Sequence, residues 1–419
     1  MNSTDTGVDP GVGIAIGGGV TLAKGFRAAG EHLGIRKNRK KRDVALIVSD
    51  VRAAAACCYT SNLVKGAPLL ITRENIVDGY AQAMICNSGN ANTCNANGIE
   101  IARGMCDLTA QYTGVKAQDV IVASTGVIGQ PMTLLPFESG ISRLAGSLTA
   151  DPQGSLLAAE AIMTTDTVVK EASTSFLMGG VPCVLGGIAK GSGMINPNMA
   201  TMLCFLTTDT AIAPPLLQQA LSAVVPDTFN MLSIDGDTST NDMVSILANG
   251  LAGNPILDNP NSDDYKVFVA ALGTVCQDLC RLMARDGEGA TKLITCQVTG
   301  AADRETARAG AKSVIRSTLV KAAIFGADAN WGRVLCALGN SGAAVDIAKI
   351  DVDFASIAGT VAVCRQGTGI PFEESYARSI LSEENIDINI CLNCGIVSAM
   401  AWGCDLTYDY VRINGDYRT

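Results

Sequence analysis

The chain has one histidine, His32, in 419 residues. Any nucleophile that borrows an imidazole as its base would have to use it. His32 lies in "AAGEHLGIRK", a polar stretch between glycines with no nucleophile motif beside it, and it reads as a surface residue. Proton transfer in any catalysis here falls to another group. Charge is scarce as well. Asp, Glu, Lys and Arg make up 17% of the chain, against about 25% in ordinary soluble domains. So thin a charged surface favours an oligomer that buries part of it. The balance of 31 basic against 40 acidic residues gives a net charge of −9, which argues against nucleic acid as a partner. The one basic cluster, "RKNRKKR" at Arg36–Arg42, precedes the strand-like "VALIVSD" and reads as a solvated turn.

Other signals are missing too. No apolar run approaches the roughly 18 residues of a membrane span, and the first twenty residues carry neither a basic n-region nor an Arg-rich transit pattern. The expectation is a cytoplasmic protein with no membrane partner, whose fifteen cysteines stay reduced. Cys57, Cys58, Cys86, Cys204 and Cys336 sit in apolar contexts and read as small buried hydrophobes. Cys391 and Cys394 have CxxC spacing without a second pair, and Cys276 and Cys280 read as helix core, so no metal site is expected. "GVGIAIGGGV" lacks the dinucleotide spacing and a strand before it, and no Walker loop occurs. No cofactor is expected.

What is present is an alternation of short strand-like runs and helical ones. Asp43–Asp50, Ala83–Asn87 and Asp119–Thr125 read as buried strands; Ile350, Val352 and Phe354, and Ile386, Ile388 and Ile390, each mark one face of a half-buried strand. A helix is expected from Ser262 or Asp263 to Asp286-Gly287, with Phe268, Leu272, Val275, Leu279 and Leu282 on its apolar stripe. A second is expected over Asp303–Lys321. No linker is long enough to separate independent domains. The fold class is α/β (α+β), a layered sandwich of mixed sheets and helices.

Three stretches share one form, an apolar strand followed by small polar residues: "MICNSGNANTCNANG" (Met84–Gly98), "IVASTGVIGQP" (Ile121–Pro131) and "KGSGMINPNMATML" (Lys190–Leu203). Glycine after a strand lets backbone N–H groups face an anion or a developing oxyanion. Read singly, each could equally be a tight turn. In the third stretch Thr201 joins the loop to an apolar run. A threonine hydroxyl needs a base, and with no histidine at hand one solution is to make Thr201 an N-terminus whose own α-amine serves. An α-amine titrates near 7.7–8.0, so part of it is unprotonated at neutral pH. The device requires a cut before Thr201, made by attack of its hydroxyl on the Ala200 carbonyl.

"KGSGMINPNMATML" resembles the autoprocessing segment of the ornithine acetyltransferase (glutamate N-acetyltransferase) family of arginine biosynthesis. The likeness runs nearly the whole chain, through "AKGFRAAGEHLGIRKNRKKRDVALIVSD", "CNSGNANTCNANG", "ASTGVIGQP", "AIMTTDT", "DGEGATK", "GADANWGRVLCALGNSG" and "YVRINGDYRT". The resemblance implies cleavage between Ala200 and Thr201 into an α fragment, 1–200, and a β fragment, 201–419. The two would form one intertwined unit of N-terminal-nucleophile-like architecture, assembled as an α2β2 heterotetramer. It implies Thr201 as nucleophile and Thr125 and Gly126 as oxyanion hole. Thr164, Lys190, Thr201, Glu288, Asn414 and Thr419 match substrate-binding positions, with Thr165 and Thr167 as alternatives to Thr164. The implied reaction moves the acetyl group of N-acetylornithine to glutamate through an acetyl-threonine, without metal or coenzyme. Acetyl-CoA as a second donor stays open. Two other readings stand beside it: a self-processed amidase or aminopeptidase with water as acceptor, and a non-catalytic binding or scaffold protein that remains uncut.

Overall fold

Strands with branched and small apolar residues on both faces demand cover on both sides, and the first sheet has it. In the computed structural model, which describes residues 18–196 and 202–416, this sheet has eight strands. They are β1 (Phe26–Glu31), β2 (Val44–Tyr59), β3 (Tyr80–Asn87), β4 (Val120–Ser124), β5 (Lys170–Met178), β6 (Val181–Lys190), β7 (Leu203–Thr208) and, after a short β8 that belongs elsewhere, β9 (Met243–Ala248). The order is β4-β3-β2-β9-β7-β6-β5, with β1 also on β2. Side chains alternate faithfully. Val44, Leu46 and Val48 join one core, with Val120 and Val122; Ala45 and Ile47 join the other, with Ile121 and Ala123. Helices α2 (Gly98–Thr113) and α3 (Leu135–Gly146) bring Ile101, Met105, Phe137 and Ile141 to the first core. Helix α4 (Pro152–Ile162) brings Ala158 and Ile162 to the second. Helices α1 (Ala67–Asn75) and α5 (Pro214–Val224) complete this unit.

The second sheet runs β13-β12-β11-β14-β10-β15-β8. Its strands are β8 (Leu232–Ser233), β10 (Leu293–Ala301), β11 (Asp351–Ser356), β12 (Gly359–Arg365), β13 (Thr368–Gly369), β14 (Asn385–Cys391) and β15 (Val397–Cys404). The expected one-sided pattern holds: Val352, Phe354, Ile386, Ile388 and Ile390 are buried, whereas Asn385, just before Ile386, and Asp387, between Ile386 and Ile388, are exposed. Helices α7 (Arg304–Arg316), α8 (Thr318–Phe325), α9 (Trp331–Gly339), α10 (Glu374–Leu381) and α11 (Tyr408–Asp416) belong here, and α6 (Asp263–Arg285) precedes them in the chain. The architecture is therefore a mixed α/β one with two sheets, as expected. Two compact units emerge. One comprises the described residues of Met1–Lys190, Thr201–Val225 and Ser239–Leu279; the other those of Gly191–Ala200, Pro226–Thr238 and Cys280–Thr419. Sequence reading finds no linker because the chain passes between the units repeatedly instead of once.

Several expectations need correction. The strand expected over Asp43–Asp50 continues to Tyr59, because its alanine-rich second half, Ala53–Cys57, is buried and from Ala54 onward pairs with β9; burial there overrides the helical preference of alanine. The helix expected over Asp303–Lys321 is two, because Ser317 is extended (φ −67°, ψ 111°) and caps α8 by accepting from the Val320 N–H. α6 is long and apolar enough by composition to cross a bilayer, contrary to the sequence reading. Its Phe268, Leu272, Val275 and Leu279 are fully buried within the protein, which is what a core helix requires. Cys336 is exposed, not buried. His32 is half-buried, with Nδ1 at 3.1 Å from the buried Asp43 carboxylate and 3.0 Å from the Lys41 carbonyl oxygen. The basic cluster is solvated in its middle, whereas Arg36 donates to the carbonyls of Ser88 and Met163 and Arg42 pairs with Glu160.

Candidate active site

In the first unit the asparagines of "CNSGNANTCNANG" build a corner out of two loops. Asn87 ends β3. Its Nδ2 donates to Ser124 Oγ at the end of β4 (2.6 Å), and its Oδ1 accepts from the N–H groups of Gly89 and Asn90. Asn241, far along the chain, donates from Nδ2 to the carbonyls of Ala91 (2.6 Å) and Ser124 (3.0 Å). Thr125 and Gly126 sit on this corner. The Thr125 N–H is committed to the Asn87 carbonyl at 2.8 Å, which leaves its hydroxyl and the Gly126 N–H as the donors this turn can offer. Gly126 has φ +127°, and a Cβ there would lie 2.8 Å from the backbone of Gly89 and Asn90. Only glycine permits that approach.

Lys190 ends β6, and the segment it opens returns to the same sheet as β7, in antiparallel register Lys190↔Leu203. Lys190 is 3% exposed. Burial pulls its ammonium below the ordinary lysine range, opposed by the Asp166 carboxylate. Asp166 is itself buried. It makes an ion pair with the fully buried Lys170 at 2.7 Å and accepts from the Thr164 N–H at 2.9 Å. Burial alone would raise its carboxyl, but the ammonium groups of Lys190 and Lys170 together hold it well below the usual range. Thr164 and Lys190 are thus linked through Asp166. Thr165 is half-buried beside them and Thr167 exposed.

Asp242, at the start of β9, is 1% exposed; its Oδ1 accepts from the Met202 N–H at 2.9 Å. Oδ2 has no hydrogen-bond partner among the described residues. Burial keeps this carboxyl well above its ordinary range, and Met202 and Lys190 oppose the shift only in part. The thiol of Cys86, whose charge would feel Lys190, is pushed up to about 12 by burial, so it is no rival nucleophile.

The second unit holds its own cluster. Glu288 follows α6; its N–H donates to the Ser192 carbonyl at 2.8 Å, and its Oε2 accepts from Asn414 Nδ2 on α11 at 2.7 Å. A Cβ on Gly193 would fall 2.4 Å from the Glu288 carboxyl group, so glycine makes room for that carboxylate. Asp235 accepts from the N–H groups of Met194 (2.6 Å) and Ile195 (2.9 Å) and from the Tyr410 hydroxyl (3.1 Å). Met194 has φ +57°, a left-handed conformation that Asp235 holds in place. Glu288 and Asn414 therefore meet, and Thr125 and Gly126 share one turn, whereas Thr164 and Lys190 are related only through Asp166, which Thr164 hydrogen-bonds and whose charge Lys190 feels. Ala200, Thr201 and Thr419 lie outside the described residues. Sequence reading missed Asn87, Asn241, Asp166, Lys170, Asp235 and Asp242. "TTDT" and "SIDGDTSTND" carried the aspartates in plain view, but only tertiary structure brings them to the loop ends.

The chain resembles known proteins over nearly its full length. The model of the ArgJ family matches residues 27–419. The arginine biosynthesis bifunctional protein ArgJ of Symbiobacterium thermophilum is 49% identical, over 96% of this chain and 99% of its own length. Its counterpart ArgJ 1 of Clostridium acetobutylicum is 47% identical over 94% and 96%. Among solved structures, an ornithine acetyltransferase from Mycobacterium tuberculosis complexed with ornithine is 34% identical, covering 43% of this chain and 95% of its own, with a TM-score of 0.40. With the family model matching residues 27–419 and these relatives 47–49% identical over 94–96% of its length, the chain belongs to the ArgJ family.

Proposed function

We propose that the protein is a glutamate N-acetyltransferase of arginine biosynthesis, cut between Ala200 and Thr201, that carries the acetyl group on Thr201. The α-amine exposed by the cut takes the proton of the Thr201 hydroxyl, which attacks the acetyl carbonyl of N-acetylornithine. The Thr125 hydroxyl and the Gly126 N–H donate to the oxyanion that forms, a contact worth about 3–4 kcal/mol in comparable sites. Ornithine leaves with the proton; the amine of glutamate then attacks the acetyl-threonine ester, the Thr201 oxygen is expelled and takes back a proton from that amine through the Thr201 α-amine, and N-acetylglutamate is released. Lys190, buried beside the Asp166 carboxylate, complements a substrate carboxylate. Glu288, oriented by Asn414, complements the δ-ammonium of ornithine.

The observation that carries the reading is the committed N–H of Thr125. With that donor held by Asn87 at 2.8 Å, the remaining hydroxyl and the Gly126 N–H form the pair that acyl transfer needs. The relatives' name as bifunctional arginine-biosynthesis proteins supports a second donor, acetyl-CoA. Intact mass spectrometry before and after brief exposure to N-acetylornithine tests the whole. The expected result is two fragments, with an acetyl adduct on the piece that begins at Thr201. An uncut active chain overturns the mechanism. Release of acetate without transfer to glutamate overturns the acceptor and favours an amidase.

A further inference from the structure

Helix α7 carries Arg304, Arg308, Lys312 and Arg316 at four-residue steps on one side, with Ala307, Ala311, Val314 and Ile315 buried on the other. Like charges at this spacing repel and weaken a helix. Two of the four are relieved: Arg304 and Arg308 both pair with Asp227, at 2.7 and 2.6 Å. Among the described residues no salt bridge reaches Lys312 or Arg316. Burial, then Arg316 and Arg308, lower the Lys312 ammonium from its ordinary range, so charge is held there at a cost. These residues line a cleft of about 940 Å³ within the second unit, joined by Arg333 of α9 and by Thr318 and Leu319 at the N-terminus of α8. Glu305 is the one acidic residue in that lining, and this in a chain whose net charge is −9.

We propose that this cleft binds a ligand bearing a diphosphate group. Lys312 and Arg316 are about 6 Å apart along the helix axis, a separation suited to two linked phosphoryl groups and wider than a single one requires. Arg333 supplies a third cation from another element, its Nη1 steadied by the Leu319 carbonyl at 2.8 Å. A planar guanidinium can grip phosphate oxygens two at a time, and the first turn of α8 adds N–H groups that favour an anion. The cleft volume falls within the range for small-molecule sites, roughly 300–1,000 Å³. None of these residues is among those placed in acetyl transfer, and pyrophosphate, which carries no acetyl group, tests the cleft apart from that reading.

Isothermal titration calorimetry of the full chain with inorganic pyrophosphate tests the proposal, followed by adenosine diphosphate and coenzyme A. One saturable pyrophosphate site is expected. K312A/R316A should weaken it about tenfold or more, Lys312→Arg should retain it, and the thermal midpoint should stay as in the parent. Tighter binding of adenosine diphosphate or of coenzyme A than of pyrophosphate supports the site and names the source of the diphosphate. No saturable pyrophosphate binding, or equal affinity in K312A/R316A, overturns it. So does a changed sedimentation coefficient in K312A/R316A with pyrophosphate binding intact, since the stripe would then face another copy of the chain.

Discussion

Thr125 and Asp242 are residues whose unused atoms matter more than their contacts. Replacing Thr125 by alanine removes a hydroxyl and leaves the N–H bond to Asn87, so the corner should persist while kcat falls by about 10²–10³. Steady-state kinetics beside an unchanged urea midpoint would check this. Gly126→Ala should do worse, since its Cβ meets backbone at 2.8 Å; stability should drop by about 1–3 kcal/mol along with activity. Asp242 gives a pH prediction. Its carboxyl ionises at higher pH in the fold than the roughly 3.9 of an unfolded chain. Between those two values the unfolded state holds fewer protons, so stability is lost as pH rises through the window. Asp242→Asn keeps an acceptor for the Met202 N–H and cannot ionise. It should therefore flatten that loss and be the more stable protein at neutral pH, as read by urea melts at pH 5 and 8. Asp166 has the opposite sign: its depressed carboxyl contributes stability that is present above the unfolded value and lost as pH falls towards the folded one. Asp166→Ala strips Lys170 of its buried carboxylate and should cost about 3–5 kcal/mol.

At the scale of elements, α6 is the clearest case. Its apolar stripe is legible in the sequence because residues three and four apart share a face. Leu272 is fully buried, and Leu272→Ala should cost about 2–5 kcal/mol in a chemical denaturation curve. The break between α7 and α8 was not legible. Serine is an ordinary surface residue of a helix until its neighbours fix it as a cap, and Ser317 becomes one only once the chain turns there. The same holds for β2, where an alanine run reads as helix until two neighbouring strands claim it.

At the scale of the molecule, the segment carrying the expected cut leaves β6 and returns as β7 in the same sheet, beside β6 on one side and β9 on the other. A cut at Ala200–Thr201 would leave that sheet's hydrogen bonds intact. The processed protein should elute as one species in native size-exclusion chromatography and separate into pieces of 200 and 219 residues only in denaturant. Dissociation under native conditions would contradict this account of what holds the pieces together.

The sequence alone determined the class of fold, the strand faces, the helix over Asp263–Arg285 and, by likeness, the family. Each of these depends on periodicity or on ordered motifs, which a linear chain displays directly. It also narrowed the chemistry, because one histidine leaves little choice of base. Tertiary structure decided which polar groups lose their water and which meet. Asn241 lies more than a hundred residues from Ser124, and Asp166 and Lys170 become an ion pair only inside a core. Burial and long-range hydrogen bonding depend on the distance between segments, and nothing in the order of residues states it.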